Sequence, residues 1–296
     1  MNNLRKTMIS IITTSYNYEE FIIETIKSIQ AQTYSDWELI IVDDASCDNS
    51  VEVIKSFCED KRIKLICHNK NKGLTQSVKT GLKYAKGDWI AFLESDDLWA
   101  ENALEERVQA IKNNPQVGII FNDVEEFGDK KAVLAVKNNI ERNRARISKL
   151  NFPKNIFYDL NIENFLLTFS AVMIKKETLD VCPLDTPIDA LLDWWIFIHV
   201  SFNCTAFYIN KKLTKWRQHK NSYLFRRKKT KFKSVNLEAY LDVWKTQKLG
   251  IKFLPFFLKT VILTVTKRFK FYYVVAIRTL KKLVGIKPKE SPLFND

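Results

Sequence analysis

Short apolar runs alternate with segments of helical period along the first hundred residues. Four of these runs have the length and composition of buried strands: Met8–Ile12, Trp37–Val42, Ile63–Cys67 and Trp89–Leu93. Between the first two, Ile22, Ile26 and Ile29 recur on one helical face. Further helices are predicted over Val51–Phe57 and Ser77–Ala85. The order β-α-β-α-β-α-β predicts a mostly parallel α/β sheet with helices on both faces.

Polar residues follow three of the predicted strands directly. They occupy Thr13–Asn17, Asp43–Ser46 and Glu94–Asp97. Because the carboxyl ends of parallel strands meet at one edge of a sheet, a ligand site is expected there. Clustered carboxylates suit Mg²⁺ or Mn²⁺, which usually reach a protein together with substrate phosphates. The alternative is structural: Ser95 or Asp96 caps a helix that begins near Leu98.

The motifs at this edge resemble the nucleotide-binding half of family 2 glycosyltransferases, which have the GT-A fold. The residues that carry the resemblance are Ile11–Asn17, Ser28–Tyr34, Glu38–Ser46, Asn71–Gly73, Ala85–Ile90 and Glu94–Asp97. The resemblance implies an inverting enzyme that transfers one sugar from a nucleotide-diphosphate sugar, with UDP as the expected nucleotide. The expected acceptor is a glycan or a polyprenyl-linked glycan of surface polysaccharide synthesis.

The resemblance also implies roles for residues of the first half. Thr14 and Tyr16 match positions that lie against the base and ribose of the donor. Asp44 matches the carboxylate that accepts the uracil ring N–H. Asp97, with Asp96 beside it, matches the acidic motif that holds Mn²⁺ or Mg²⁺ on the donor diphosphate.

The second half carries the expected acceptor side. A strand is predicted over Phe169–Ile174 and a helix over Ile188–Ile198. By resemblance, Asp193 is the catalytic base, and Leu192 replaces the Glu that usually precedes it. Asp189, four residues earlier, would share its helical face and is a candidate stand-in for that Glu. The alternative for Asp193 is a carboxylate that merely favours the helix dipole.

Leu213–Ser222 resembles the closing motif of the family, with an Arg and a His two residues apart. The resemblance places Arg217 against the leaving group and His219 on the metal or the diphosphate. His68 and His199 match no motif position and are expected to be ordinary solvated or hydrogen-bonded side chains.

Three departures from the family pattern keep other functions open. Glu94 stands where Asp is usual, Val78–Lys79 replaces an Arg-Asn pair, and Leu192 replaces Glu. A non-catalytic sugar- or membrane-binding relative is therefore one alternative. A nucleotidyltransferase is another, although such an enzyme needs a Gly-rich, Arg-bearing first turn, and Thr13–Asn17 contains neither residue.

Positive charge is concentrated near the C-terminus. Between Arg226 and Lys289 there are 18 Lys or Arg and 2 acids, a net charge of +16, whereas the whole chain carries +13. We expect a GT-A catalytic domain at 1–225, with a nucleotide-binding half over about 1–122 and an acceptor half over about 123–225. A basic helical extension is expected at 226–296.

The extension is amphipathic at helical spacing, and a helix of about 28 residues is predicted from Pro255. Basic and aromatic-apolar faces on one helix favour an anionic membrane surface. Packing on the catalytic domain, or a homodimer through these helices, is the alternative. Nucleic acid is not expected, since no base-reading motif accompanies the charge.

Cysteine content and hydropathy give the expected compartment. Five Cys, an odd number without paired metal spacing, favour free thiols and a reducing environment. No signal segment opens the chain and no uncharged apolar stretch reaches 18 residues. These features predict a cytoplasmic protein, peripheral on the inner face of the cell membrane.

Overall fold

The computed structural model describes residues 7–180, 182–186, 189–220, 235–247, 253–256, 258–262 and 265–266. The strands in this part of the chain are β1 Ile9–Ser15, β2 Trp37–Asp43, β3 Ile63–Cys67, β4 Trp89–Phe92, β5 Leu98–Trp99, β6 Val117–Gly128, β7 Val172–Lys175 and β8 Thr205–Gln218. The α-helices are α1 Ile22–Gln30, α2 Ser50–Lys55, α3 Leu74–Tyr84, α4 Ala103–Asn113, α5 Lys130–Ile147, α6 Phe157–Ile162, α7 Lys176–Leu179, α8 Leu192–Asn203 and α9 Val235–Thr246.

The eight strands form one sheet in the order β3-β2-β1-β4-β7-β6-β8-β5. The first four are parallel, with Thr14 opposite Val42 and Ile12 opposite Phe92. The predicted α/β order of the first half is confirmed. Because β1 lies between β2 and β4, the polar residues that follow these three strands come out side by side at one edge.

Two apolar cores cover the two faces of the sheet, and the strands divide their side chains between them by alternation. In β2, Leu39 and Ile41 point into the core under α1 and α4, whereas Ile40 and Val42 point into the core under α3, α6 and α8. Burial on both faces explains why these strands read as continuous apolar runs rather than as alternating ones.

The second half differs in detail from the elements predicted for it. Residues 169–171 form a 3-10 turn, and only Val172–Lys175 pair as a strand, antiparallel to β4 and β6. A 3-10 turn over Asp189–Leu191 precedes α8, so Asp189 and Asp193 do not share one regular helix face as expected. The helix considered near Leu98 is absent: residues 98 and 99 pair with β8 as β5.

Helix α9 lies within the expected extension but packs into the catalytic core. Val235, Ala239, Tyr240 and Val243 are buried in the same core as α6 and α8. His199, expected to be an ordinary side chain, lies 3.1 Å from the Asp242 carboxylate and ties α8 to α9. Helix α9 therefore belongs to the same packed core as α6 and α8.

Beyond α9, most of the helix predicted from Pro255 lies outside the described residues. The described parts, 254–256, 258–262 and 265–266, are helical. Phe256 packs against Tyr158 at 4.2 Å between ring centroids, and the Tyr240 hydroxyl donates to the Phe253 carbonyl. Among the described residues, no helix combines the length and apolar character needed to cross a bilayer.

Gly128 ends β6 where that strand comes closest to the end of β8. Its φ is +110°, and a Cβ there would lie 2.5 Å from the Gln218 carbonyl oxygen. The next residue, Asp129, donates its N–H to that same oxygen at 2.8 Å and caps α5 with its side chain. The absence of a side chain at Gly128 therefore lets β6 hold the segment that carries Arg217 and His219.

Gly128→Ala is expected to lower the free energy of unfolding by about 1–3 kcal/mol, since the new methyl group meets backbone and the left-handed φ is unfavourable for Ala. Urea denaturation measures the change. The matched control is Ala45→Gly, because Ala45 already has a φ of +65°. There stability should stay unchanged or rise by roughly 1 kcal/mol. Equal losses in both variants would contradict this explanation.

Candidate active site

The loops that follow β1 and β2 are tied to each other at the sheet edge. The Asp44 N–H donates to the Ser15 carbonyl at 2.8 Å, and the Asn17 N–H donates to the Ser46 hydroxyl at 2.9 Å. These bonds bring together the three residues expected at the nucleotide. Thr14 is half-buried, Tyr16 is exposed and Asp44 is buried.

Asp44 is held by its own surroundings more fully than the sequence indicated. Its carboxylate accepts the N–H groups of Lys72 and Gly73, at 2.8 to 3.1 Å. It also lies 2.7 Å from Nδ1 of His68, whose other ring nitrogen is 2.9 Å from the Thr80 hydroxyl. A carboxylate has about four acceptor positions. These three donors therefore leave about one position for the expected contact with a uracil N–H.

The acidic motif after β4 forms the centre of the site. Asp97 is fully buried, and its Oδ1 accepts the backbone N–H of Arg217 at 2.8 Å. Its Oδ2 lies 3.3 Å from the Thr168 hydroxyl. Both oxygens of Asp97 thus contact protein, and the carboxylate fastens the end of β8 to the loop after β4.

Asp96 faces His219 at the surface of the same cluster. Asp96 Oδ2 lies 2.9 Å from Nε2 of His219, and the ring packs on Phe21 at 4.8 Å between centroids. Among the described residues, the buried Nδ1 atom of His219 has no hydrogen-bond partner. Of the two adjacent Asp residues, Asp96 is therefore the one placed beside the expected metal-binding His.

Within the described residues, no three His, Cys, Asp or Glu side chains converge on one point as a closed metal cage would require. Asp96 and His219 nevertheless offer an oxygen and a nitrogen donor, which suit Mn²⁺. Divalent ions of this kind often take one or two protein ligands and complete their shell with substrate phosphate and water. The donor set fits a metal that arrives with the nucleotide.

Arg217 is fixed by contacts on all sides. Its Nε donates to the Asp96 carbonyl at 2.7 Å, and its terminal nitrogen pairs with the Glu24 carboxylate. The guanidinium lies between the rings of Phe21 and Phe127, at 4.8 and 4.4 Å from their centroids. In this arrangement Glu24 already balances part of the Arg217 charge before any leaving group binds.

Glu94 and Asp97 contact the same hydroxyl. The Thr168 oxygen lies 2.9 Å from Glu94 Oε2 and 3.3 Å from Asp97 Oδ2, and a hydroxyl has one proton to donate. Burial, the Asp96 charge and the Asp193 charge raise the pKa of Glu94 to about 8. Burial, the Asp96 charge and the Glu94 charge also raise the pKa of Asp97. Both shifts favour retention of a proton in the cluster when no cation is bound.

Asp193 reaches this cluster from the second half of the chain. Burial raises its pKa to about 6, while the Trp194 N–H and its own N–H act in the opposite direction. Leu192, which replaces the usual Glu, is fully buried in the core. The carboxylate of Asp189, the candidate stand-in for that Glu, accepts the N–H groups of Leu74 and Thr75.

A buried arginine that carried no motif signal underlies the cluster. Arg107 of α4 is fully buried and donates to the Asn122 side chain at 2.7 and 3.0 Å and to the Ser170 carbonyl at 3.0 Å. Ser170 in turn accepts the Glu94 N–H on its hydroxyl at 3.0 Å. Burial lowers the pKa of Arg107 to about 9.

Sequence reasoning also missed Thr168 and Glu24. Both are isolated polar residues with mainly apolar neighbours. Thr168 comes directly before the apolar strand predicted from Phe169, much as the polar residues of the first half lie at the ends of their strands. This position next to a predicted strand is the sequence feature that could have indicated Thr168.

Comparison with known proteins gives one family. The family model described as "Glycosyl transferase family 2" matches residues 10–179. The glucosyltransferase WfgD of Escherichia coli, which uses UDP-Glc and an α-D-GlcNAc-diphosphoundecaprenol acceptor, is 32% identical over 65% of this chain and 69% of its own. TuaG of Bacillus subtilis, a putative teichuronic acid glycosyltransferase, is 27% identical over 73% of this chain and 81% of its own.

Solved structures agree with the fold. TarS of S. aureus, in complex with UDP-GlcNAc, superposes with a TM-score of 0.59 at 14% identity over 86% of this chain and 79% of its own. The mannosyltransferase PcManGT of Pyrobaculum calidifontis, in complex with GDP-Man and Mn²⁺, gives a TM-score of 0.60 at 17% identity over 94% and 75%. With the family model covering more than half of its length, the chain belongs to glycosyl transferase family 2.

Proposed function

We propose that this glycosyltransferase moves a single sugar from a UDP-linked donor to a polyprenyl-diphosphate-linked glycan, with inversion and with a divalent metal. The observation that supports it most is the meeting of Asp193 with the acidic cluster of Glu94, Asp96 and Asp97. Asp193 comes near enough for its charge to add to burial and the Asp96 charge in raising the pKa of Glu94, and both Glu94 and Asp97 contact the Thr168 hydroxyl. A candidate base and a candidate diphosphate site thus face one another.

The chemistry assigned to the residues follows from their positions. Asp193 accepts the proton of the acceptor hydroxyl as that oxygen attacks the anomeric carbon. A pKa of about 6 leaves most of the Asp193 carboxylate free to accept it at neutral pH. A single displacement opposite the leaving group inverts the anomeric centre. Thr14 and Tyr16 hold the nucleoside, and the loop fixed by Asp44 shapes its pocket.

The metal is assigned to Asp96 and His219, with Asp97 as the residue that holds their loop in place. When bound, Mn²⁺ or Mg²⁺ would neutralise charge that develops on the departing diphosphate. Donor and acceptor are inferred from WfgD, whose name specifies UDP-Glc and a diphosphoundecaprenol-linked sugar. The Mn²⁺ in the PcManGT complex supports a divalent ion of this kind.

Asp193→Asn tests the base. The amide cannot take the hydroxyl proton, so kcat should fall by roughly 10²–10⁴ while the affinity for UDP stays near that of the wild type. The wild-type kcat/KM with UDP-glucose and a synthetic GlcNAc-diphosphate lipid should drop below pH 6, where Asp193 becomes protonated. Asp185→Asn, at an exposed carboxylate of the same segment, is the control. Activity within a few-fold of wild type would make Asp193 structural. An inactive wild-type protein would instead favour the non-catalytic relative.

Asp96→Asn and Asp97→Asn test the metal assignment. Calorimetric titration of UDP with and without Mn²⁺ should show that Asp96→Asn loses the metal-dependent gain in affinity, by at least about 10-fold. Asp97→Asn should retain part of that gain, because an amide oxygen can still accept the Arg217 N–H. If Asp97→Asn loses the metal-dependent gain and Asp96→Asn retains part of it, Asp97 is the metal ligand.

The end of the chain is proposed to bind an anionic membrane surface, with α9 as part of the catalytic domain. Leu258, Ile262 and Val265 recur at helical spacing and are 50%, 61% and 42% exposed. Exposed Lys259 lies beside them, and residues 267–289 add eight Lys or Arg. Exposed apolar side chains with adjacent basic ones match the chemistry of a lipid interface. Each basic residue near anionic headgroups contributes about 1 kcal/mol.

Truncation after Phe256 removes these exposed residues and tests the membrane proposal, while it retains Phe253 and Phe256, which pack on the core. The full chain should float with anionic vesicles at low salt and less so at high salt, because salt screens the charge term. The truncated chain should bind UDP normally but no longer float. Equal flotation of the full and truncated chains would favour the packing alternative. So would a full chain that binds no vesicles but forms a concentration-dependent dimer that the truncated chain does not form.

A further inference from the structure

The N-terminus of α3 is capped by a residue from the other half of the chain. Asp189 Oδ2 accepts the Leu74 N–H at 3.0 Å, and Oδ1 accepts the Thr75 N–H at 2.8 Å and the Thr75 hydroxyl at 2.5 Å. The residue at the N-cap position of α3 is Gly73, which has no side chain to do this. The helix depends for its cap on a residue more than a hundred positions later.

The preceding two N–H groups of the same turn bind a different carboxylate. Lys72 and Gly73 donate to Asp44, the candidate nucleotide-binding residue. Four successive backbone N–H groups, at residues 72–75, are thus shared between Asp44 and Asp189. A Cβ on Gly73 would lie 3.2 Å from Asp189 Oδ2, so the turn and the carboxylate are in close contact.

On its other side, Asp189 leads directly into α8. The turn Asp189–Leu191 runs into this helix, and Asp193 lies in its first turn. Leu191 at the N-cap of α8 makes no side-chain capping bond. The position of this helix end is therefore set by buried Leu192, by the indole N–H bonds of Trp194 and Trp195 to the Leu160 and Pro183 carbonyls, and by the bonds of Asp189 to α3.

We infer that Asp189 is a positioning residue that fixes the candidate base Asp193 relative to the nucleotide-binding loop held by Asp44. The inference rests on the proposed function only for the catalytic meaning of Asp193. The Asp189 carboxylate, which binds the start of α3, lies four residues before Asp193. Its loss therefore allows the first turn of α8 to shift. A displacement of about 1 Å at a reacting group can cost on the order of 10²-fold in rate.

The test compares Asp189→Asn and Asp189→Ala with Asp185→Asn. Asp185 belongs to the same segment and contacts the same helix through Lys79, but its side chain is 86% exposed. With UDP-glucose as donor, both Asp189 variants should lose roughly 10- to 100-fold in kcat, with the Kd for UDP and Mn²⁺ within about three-fold of wild type. Asp185→Asn should change neither quantity, since an exposed ion pair contributes little.

A double variant shows whether Asp189 acts through α3. Thr75→Val removes the hydroxyl that Asp189 accepts, so Asp189→Ala with Thr75→Val should cost no more than Asp189→Ala alone. Additive losses of kcat in the double variant would overturn the inference. So would Asp189 single variants with a kcat within two-fold of wild type, or with a raised Kd for UDP and an unchanged kcat. Asp189→Asn, which keeps the size of the side chain, serves as the test if Asp189→Ala does not fold.

Amide hydrogen exchange gives a readout that needs no enzyme activity. In Asp189→Asn, exchange should become faster both at residues 72–75 and in the first turn of α8, whereas Asp185→Asn should leave both unchanged. Unchanged exchange in α8 would overturn the positional link. An inactive wild-type protein that still shows the exchange pattern would count against the proposed function and not against this link.

Discussion

The concentration of negative charge after β4 is the constraint to which the rest of the site is fitted. Glu94, Asp96 and Asp97 follow one another within four residues, and Asp193 adds a fourth charge from the second half. Buried like charges repel strongly, so each must be matched by a donor, a proton or a cation. The backbone N–H of Arg217 is such a donor for Asp97. A divalent ion with a diphosphate would complete the balance when the donor binds.

That requirement explains why residues far apart in the chain meet here. Strand β8 returns to pair with β6 and β5, and its end delivers Arg217 and His219 to the acidic loop. Phe21 at the start of α1 packs on both side chains. Beneath them, Arg107 joins α4 to β6 and to the Ser170 carbonyl. The site is therefore built on strands and helix ends that the two apolar cores hold rigidly.

The departures from the family pattern have physical explanations in the core. Val78 and Leu192 are buried at 1% and 0% exposure, so these positions contribute packing where the family usually has polar residues. Lys79 pairs with Asp185 on the surface. Glu94, longer than the usual Asp, reaches the Thr168 hydroxyl. The chain thus keeps the acidic motif and the candidate base while its neighbouring polar positions have become structural.

The sequence by itself determined the parallel first half, the edge at which its polar residues gather and the family to which it belongs. Strand and helix periods are local properties, and the motifs are contiguous. Only the tertiary structure decided that Asp96 rather than Asp97 faces His219, that Arg217 pairs with Glu24, and that Asp189 caps α3. These outcomes depend on which distant backbone N–H groups and charges each carboxylate meets after folding. No spacing along the chain encodes such contacts, because they arise from packing between elements more than a hundred residues apart.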